Sequence, residues 1–92
     1  AELALIISKK PEETAKRISE KLDRGATLLD GKGSYTGEEK RVVMSVVGRR
    51  ELFLLKEVVS EVDPDAFVIV CQAAEVLGEG FSDKRREDGM LF

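Results

Sequence analysis

Histidine and tryptophan are absent from this 92-residue chain, and cysteine occurs once. Without histidine the chain lacks the commonest general base and the commonest metal ligand. No triad-like set or activated nucleophile stands in their place, so the chain reads as a non-enzyme with no catalytic residues, no metal site and no cofactor. One thiol cannot close an internal disulfide, and a reducing compartment fits that usage. Cys71 ends the apolar run Phe67-Val68-Ile69-Val70-Cys71, where a buried, unreactive core thiol is expected. Aromatics are 5% of the residues, too few for a base-stacking platform. Neither sign of charge dominates: 15 basic and 18 acidic residues leave a net −3, which argues against nucleic acid as a partner. No apolar stretch approaches the ~20 residues of a membrane span, and no signal peptide is visible.

At 42% hydrophobic and 36% charged, the composition is that of one soluble globular domain with one modest core. Leu3-Ala4-Leu5-Ile6-Ile7 is continuously apolar and short, which reads as a buried strand. Pro11 suits a first helical position, and Glu12 and Glu13 suit the positive end of a helix dipole. Ala15, Ile18 and Leu22 then fall on one helical face. The spacings Glu12–Lys16, Glu13–Arg17 and Glu20–Arg24 allow ion pairs within that helix, and Gly25 is its expected stop.

A second strand begins at Ala26 and runs through Leu28 and Leu29 into a glycine-punctuated loop. The third, from about Lys40 to Val47, holds Val42, Val43, Met44, Val46 and Val47, so it should be central and covered on both faces. Arg49-Arg50-Glu51 leads into a second helix that buries Leu52, Leu55, Val58, Val59 and Val62. Asp63-Pro64 ends it, since proline disfavours helical geometry in the residue before it. Phe67 to Cys71 is the fourth strand. Residues 1–81 form the domain. Residues 82–92, charged from Ser82 to Asp88, are expected to be a mobile tail.

The order strand, helix, strand, strand, helix, strand predicts an α+β fold. Two split βαβ units with right-handed crossovers give a ferredoxin-like βαββαβ sandwich: a four-stranded antiparallel sheet with two helices on one face. That creates a conflict, because two helices cover one face while three strands are apolar at consecutive positions. A face of four five-residue strands is roughly 17 by 19 Å, about 320 Å², close to the largest apolar patch of an ordinary monomer. Covering it is worth on the order of 8 kcal/mol per subunit before association costs. Self-association through the open face answers the conflict. A tail folded back over the sheet is the alternative.

Lys10-Pro11-Glu12-Glu13, Gly25-Ala26-Thr27-Leu28-Leu29-Asp30-Gly31-Lys32-Gly33, Tyr35-Thr36-Gly37-Glu38-Glu39-Lys40 and Val76-Leu77-Gly78-Glu79-Gly80-Phe81 together resemble the C-terminal domain of unknown function of YitT-type bacterial membrane proteins. The resemblance runs from about Leu5 to Phe81. It implies a module on the cytoplasmic side of the bacterial cell membrane, attached to an N-terminal multi-span part of its own full-length chain. A looser similarity is to PII-like signalling proteins, which share the element order, form trimers and bind nucleotides between subunits. Gly25 and Thr27 look like their glycine and threonine near the nucleotide, and Gly78-Glu79-Gly80 looks like their C-terminal Gly-Glu-x-Gly segment. Gln72, Ala73 and Ala74 stand where those proteins carry basic residues. By this analogy the chain is a homo-oligomer, preferably a trimer.

The candidate ligand site follows from the loop. Gly31, Lys32, Gly33, Ser34, Tyr35 and Thr36 can present backbone N–H groups, hydroxyls and an ammonium to a small anion such as a nucleotide. The spacing is not that of a P-loop, and no helix follows. The same residues also suit a plain hairpin connection whose glycines supply positive φ angles. Gly78, Glu79 and Gly80 can close over a ligand or simply turn the chain. Arg49 and Arg50 can bind an anion or pair with Glu51 or Glu38. Glu38, Glu39 and Glu79 match no metal loop. The expected function is a regulatory or ligand-sensing module, with a purely structural oligomerisation domain as the alternative.

Overall fold

The first strand of the chain lies inside the sheet, beside the third. In the computed structural model, which describes residues 1–78, β1 (Glu2–Ile7) pairs antiparallel with both β3 (Glu39–Val47) and β4 (Phe67–Gln72). β2 (Thr27–Lys32) adds to the far side of β3, giving the order β2-β3-β1-β4. With α1 (Pro11–Leu22) and α2 (Leu52–Val62) as the two crossovers, this is the ferredoxin-like α+β topology. The expectations for residues 79–81, including Glu79 and Gly80, and for the 82–92 tail lie outside the described residues.

Register decides which side chains meet the helices. Glu2, Ala4 and Ile6 of β1 are buried, while Leu3, Leu5 and Ile7 are only partly so. On β3 the buried residues are Val43, Ser45 and Val47. These line one face with Ile18 and Leu22 of α1 and Leu55, Val58 and Val59 of α2, and together they make the core. Among the described residues of one chain, β3 is covered by helices on one face only. Its Val42, Met44 and Val46 share the helix-free face with Leu3, Leu5 and Ile7, and the described residues leave them partly exposed.

The expectation of a buried Cys71 is corrected. It lies opposite Leu3 on the helix-free face of edge strand β4, and it is exposed. A strand whose residues are all apolar carries no alternation to reveal which of them points inward.

Helix α1 starts at Pro11 as expected, and Ala15 packs partly buried against the core, but Thr14 joins Ile18 and Leu22 in the buried positions. Its hydroxyl donates to the Lys10 carbonyl at 2.8 Å, which satisfies the polar atom. Asp23, not Gly25, ends the helix, adopting a left-handed φ of 58° while its N–H reaches the Ser19 carbonyl. Gly25 instead offers its carbonyl to the Ser45 hydroxyl at 2.9 Å.

For Glu12 and Arg17 the ion pairs found are not the spacings within α1, and Arg24 also reaches beyond the helix. Glu12 meets Arg41 at 2.9 Å, Arg17 meets Glu61 at 3.4 Å and Arg24 meets Glu51 at 3.0 Å. Each of these contacts ties α1 or its exit to another element, a geometry that sequence spacing cannot display.

A short 3-10 turn, Arg49–Glu51, precedes α2. The Glu51 carboxylate accepts the Gly48 N–H at 2.6 Å and binds Arg24. Glu51 is thereby occupied, and neither Arg49 nor Arg50 pairs with it.

Candidate functional site

The hairpin between β2 and β3 overhangs the sheet. β1 ends and β4 begins level with Val42, while β2 and β3 continue through the pairs Asp30–Arg41, Gly31–Lys40 and Lys32–Glu39. Gly31 and Lys32 thus belong to a strand, not to the loop. The loop from Gly33 to Glu38 is closed by its own hydrogen bonds. The Gly33 N–H donates to the Glu38 carbonyl and the Gly37 N–H to the Gly33 carbonyl, both at 2.8 Å, and the Glu38 N–H donates to the Thr36 hydroxyl at 3.1 Å. Of its glycines only Gly37 adopts a positive φ, +73°. Ser34, Tyr35 and Thr36 are exposed at the tip, with Tyr35 almost fully so.

The predicted site residues do not gather within one chain. Thr27 pairs with Met44, and Gly25 lies beyond it toward the end of the sheet where β3 finishes. Gly78 follows β4 from that same end, because Gln72 pairs with Glu2. Gly31, Lys32, Gly33, Ser34, Tyr35 and Thr36 lie at the opposite end. The nine residues of β3, eight steps from Val47 to Glu39, separate the two ends by about 26 Å at the usual rise. A ligand touching both sets within one chain has to span that length.

What one chain does build is a cleft of about 900 Å³ in the step between the overhanging hairpin and the ends of β1 and β4. Ile7, Ser8, Lys9, Pro11 and Glu12 form one side, Asp30, Gly31 and Glu38 to Arg41 another, and Asp63, Asp65 and Phe67 the floor. Arg41 bridges Glu12 at 2.9 Å and Asp30 at 3.6 Å across it. Glu12, Asp30, Glu38, Glu39, Asp63 and Asp65 outnumber Lys9, Lys40 and Arg41 there. No group of acids and cysteines among the described residues could hold a metal ion.

Asp63 is the member of this cleft that sequence reasoning missed, having been read only as a helix stop. Its carboxylate accepts the Lys9 N–H at 2.9 Å, the Ser8 hydroxyl at 3.1 Å and the Asp65 N–H at 3.0 Å. The Lys9 backbone N–H is the foremost cause holding its pKa below the ordinary carboxylate value, against the opposing pull of burial. A depressed folded-state pKa stabilises the fold above the unfolded value, and that contribution is lost as pH falls through the folded one. Asp63→Asn is expected to lower the thermal midpoint at neutral pH and to flatten its decline on acidification. Melting curves from neutral to acid pH check this, and an unchanged acid limb counts against the role.

A family model described as "Uncharacterized protein conserved in bacteria (DUF2179)" matches residues 24–78. The chain belongs to the DUF2179 family. Among its relatives is the UPF0750 membrane protein YvjA of Bacillus subtilis, 43% identical over 81 residues, covering 88% of this chain and 29% of that protein. The UPF0750 membrane protein YitT of the same organism is 39% identical over 75 residues, covering 82% and 27%. A protein of Bacillus sp. PS3, described as uncharacterized and in the cccA 5′ region, is 48% identical over 81 residues, covering 88% and 54%. The chain thus spans from about a quarter to half of these curated relatives.

Among solved structures, a DUF2179 protein from Eubacterium ventriosum superposes with a TM-score of 0.67 at 37% identity, covering 76% of this chain and 96% of that one. A functionally unknown protein from Pediococcus pentosaceus superposes at 0.72 with 12% identity, a likeness of fold alone. The resemblance to YitT-type proteins thus holds across the DUF2179 region. No helix among the described residues is long and apolar enough to cross a membrane.

Proposed function

We propose that this DUF2179 chain is the regulatory module of a multi-pass bacterial membrane protein, held on the cytoplasmic side, whose copies assemble through the open sheet face. One observation carries the reading. The face turned away from both helices is built from Leu3, Leu5, Ile7, Val42, Met44, Val46, Leu29, Phe67, Ile69 and Cys71, with Phe67 64% exposed. Its footprint of about 320 Å² falls short of the roughly 800 Å² per partner of a standard stable interface. The overhanging hairpin is the nearest surface that can make up the difference, which puts the glycine loop at a subunit boundary.

Light scattering tests the assembly. A multiple of 10.2 kDa is expected, with a trimer preferred by analogy, and a strictly monomeric mass across concentrations overturns it.

Ligand sensing is the second reading, favoured by the cleft beneath the hairpin. Its acids exceed its cations, so a nucleotide or other small anion needs counter-charge from a second copy. A thermal-shift screen with nucleotides is expected to raise the midpoint of the parent chain and to do so less in Lys32→Ala. Silence in every such assay leaves an assembly domain with no small-molecule ligand.

A further inference from the structure

The fold leaves one helix surface without a structural reason. The buried residues of α2 are Leu55, Val58, Val59 and Val62. On the opposite side Phe53, Lys56 and Ser60 recur at spacings of three or four residues, all exposed, which makes a single stripe, and exposed Arg49 and Arg50 stand in the 3-10 turn that leads into it. Phe53 is 73% exposed, on a helix whose core side is already filled by aliphatic residues. Arg49, Arg50 and Lys56 form no ion pair among the described residues. The nearby acid Glu51 is engaged by Arg24, which leaves Glu57 as the one exposed acid within the stripe's span. Two arginines at the opening of a helix face its positive dipole end, so they do not assist the helix. Folding explains neither the aromatic ring nor the cations.

Register gives the stripe a direction. Glu2 pairs with Val47, and the Ala73 N–H binds the Ala1 carbonyl. Gly48, Arg49 and Arg50 therefore leave the sheet at the end where the chain enters the fold. The UPF0750 relatives are membrane proteins, of which this chain covers 26–29%.

We propose that the outer face of α2 docks on an anionic membrane surface, with Phe53 entering the headgroup layer and Arg49, Arg50 and Lys56 facing lipid phosphates. This rests on the reading of the chain as a module of a membrane protein. Three cations against Glu57 leave a local charge of about +2 in a chain of net −3, which is the complement an anionic leaflet requires. An aromatic ring flanked by basic side chains is the composition of an interfacial helix face. The attachment is intramolecular in the full-length protein, so a weak contact suffices.

The absence of tryptophan supplies the probe. Phe53→Trp carries a single indole on the stripe, and Phe67→Trp carries one on the open sheet face. Each variant is tethered by an N-terminal hexahistidine tag to phosphatidylcholine vesicles bearing a nickel-chelating lipid, with or without phosphatidylglycerol. The related domain from Eubacterium ventriosum, of which this chain covers 96%, shows that the fold stands apart from a membrane part.

With phosphatidylglycerol, the emission of Phe53→Trp is expected to shift to the blue and to be quenched by brominated acyl chains, while Phe67→Trp is unaffected by them. Untethered, the parent chain is expected to partition about 30-fold more onto the anionic vesicles, from two net charges at roughly fivefold each. Arg49→Glu with Arg50→Glu is expected to abolish both effects. An unchanged Phe53→Trp emission on anionic vesicles overturns the docking, as does quenching of Phe67→Trp in its place. Either result points to a protein partner for α2 or to a different inserted face. Light scattering of the untethered samples separates this outcome from loss of self-association, since a monomer that binds vesicles refutes only the assembly.

Discussion

Leu5→Lys is expected to return an associated chain to a 10.2 kDa monomer while leaving the fold nearly as stable as before. Leu5 is the middle of the open face: it lies opposite Met44 on β3 and Ile69 on β4. Within one chain it is only partly buried, so a lysine stem can lie along its neighbours and lift the ammonium into water. Across a closed interface that escape is lost, and burying an unpaired charge costs several kcal/mol, on the order of the ~8 kcal/mol that the face can supply. Light scattering reads the mass, and circular dichroism reads the midpoint at matched concentration. Ser60→Lys, on the outer side of α2, serves as the control that should keep the parent mass. If Leu5→Lys keeps it too, the open face is not the contact.

Leu55→Ala is expected to cost about 2–5 kcal/mol, the usual range for truncating a fully enclosed leucine. Leu55 has no exposed surface and sits in the core with Ile18, Val43 and Val59. Domains of this size hold about 5–15 kcal/mol in all. At roughly 4–8 °C per kcal/mol, the midpoint should fall by about 10 °C or more. Phe53→Ala removes a larger side chain two positions earlier, yet should change stability by less than about 0.5 kcal/mol because the ring is exposed. Urea titration at one fixed chain concentration compares the two, since association adds to apparent stability. Equal losses at both positions contradict the assigned faces of α2.

The element order was legible because each segment carries a clear local signal. Pro11 with Glu12 and Glu13 opens α1, Asp63-Pro64 closes α2, and strand limits agree within a residue at Glu2, Thr27 and Gln72, while β2 runs three residues past Leu29 to Lys32. Leu55, Val58, Val59 and Val62 were readable as the inner side of α2 from spacing alone. Facing within β4 was not. Phe67 to Cys71 is apolar throughout, and only pairing with Leu3, Leu5 and Ile7 sends Phe67, Ile69 and Cys71 to the open side. Thr14 looked polar until its hydroxyl found the Lys10 carbonyl.

The candidate site was legible as a composition but not as a place. Six residues of β2 carry Thr27 and Lys32 to different ends of the sheet, and residues close in sequence are thereby set apart. The cleft's floor rests on Asp63 binding the Ser8 and Lys9 segment, more than fifty positions away. No local pattern marks such a partnership.

Placing the first strand between the third and the last has a cost in time. Glu2 waits for Gln72 before β1 has both neighbours, and such distant pairing is slow to form. On a ribosome, the final strand must emerge before the sheet can close. Until then β1 presents one bare flank, which makes the last stretch of synthesis the interval in which this domain is most open to mispairing.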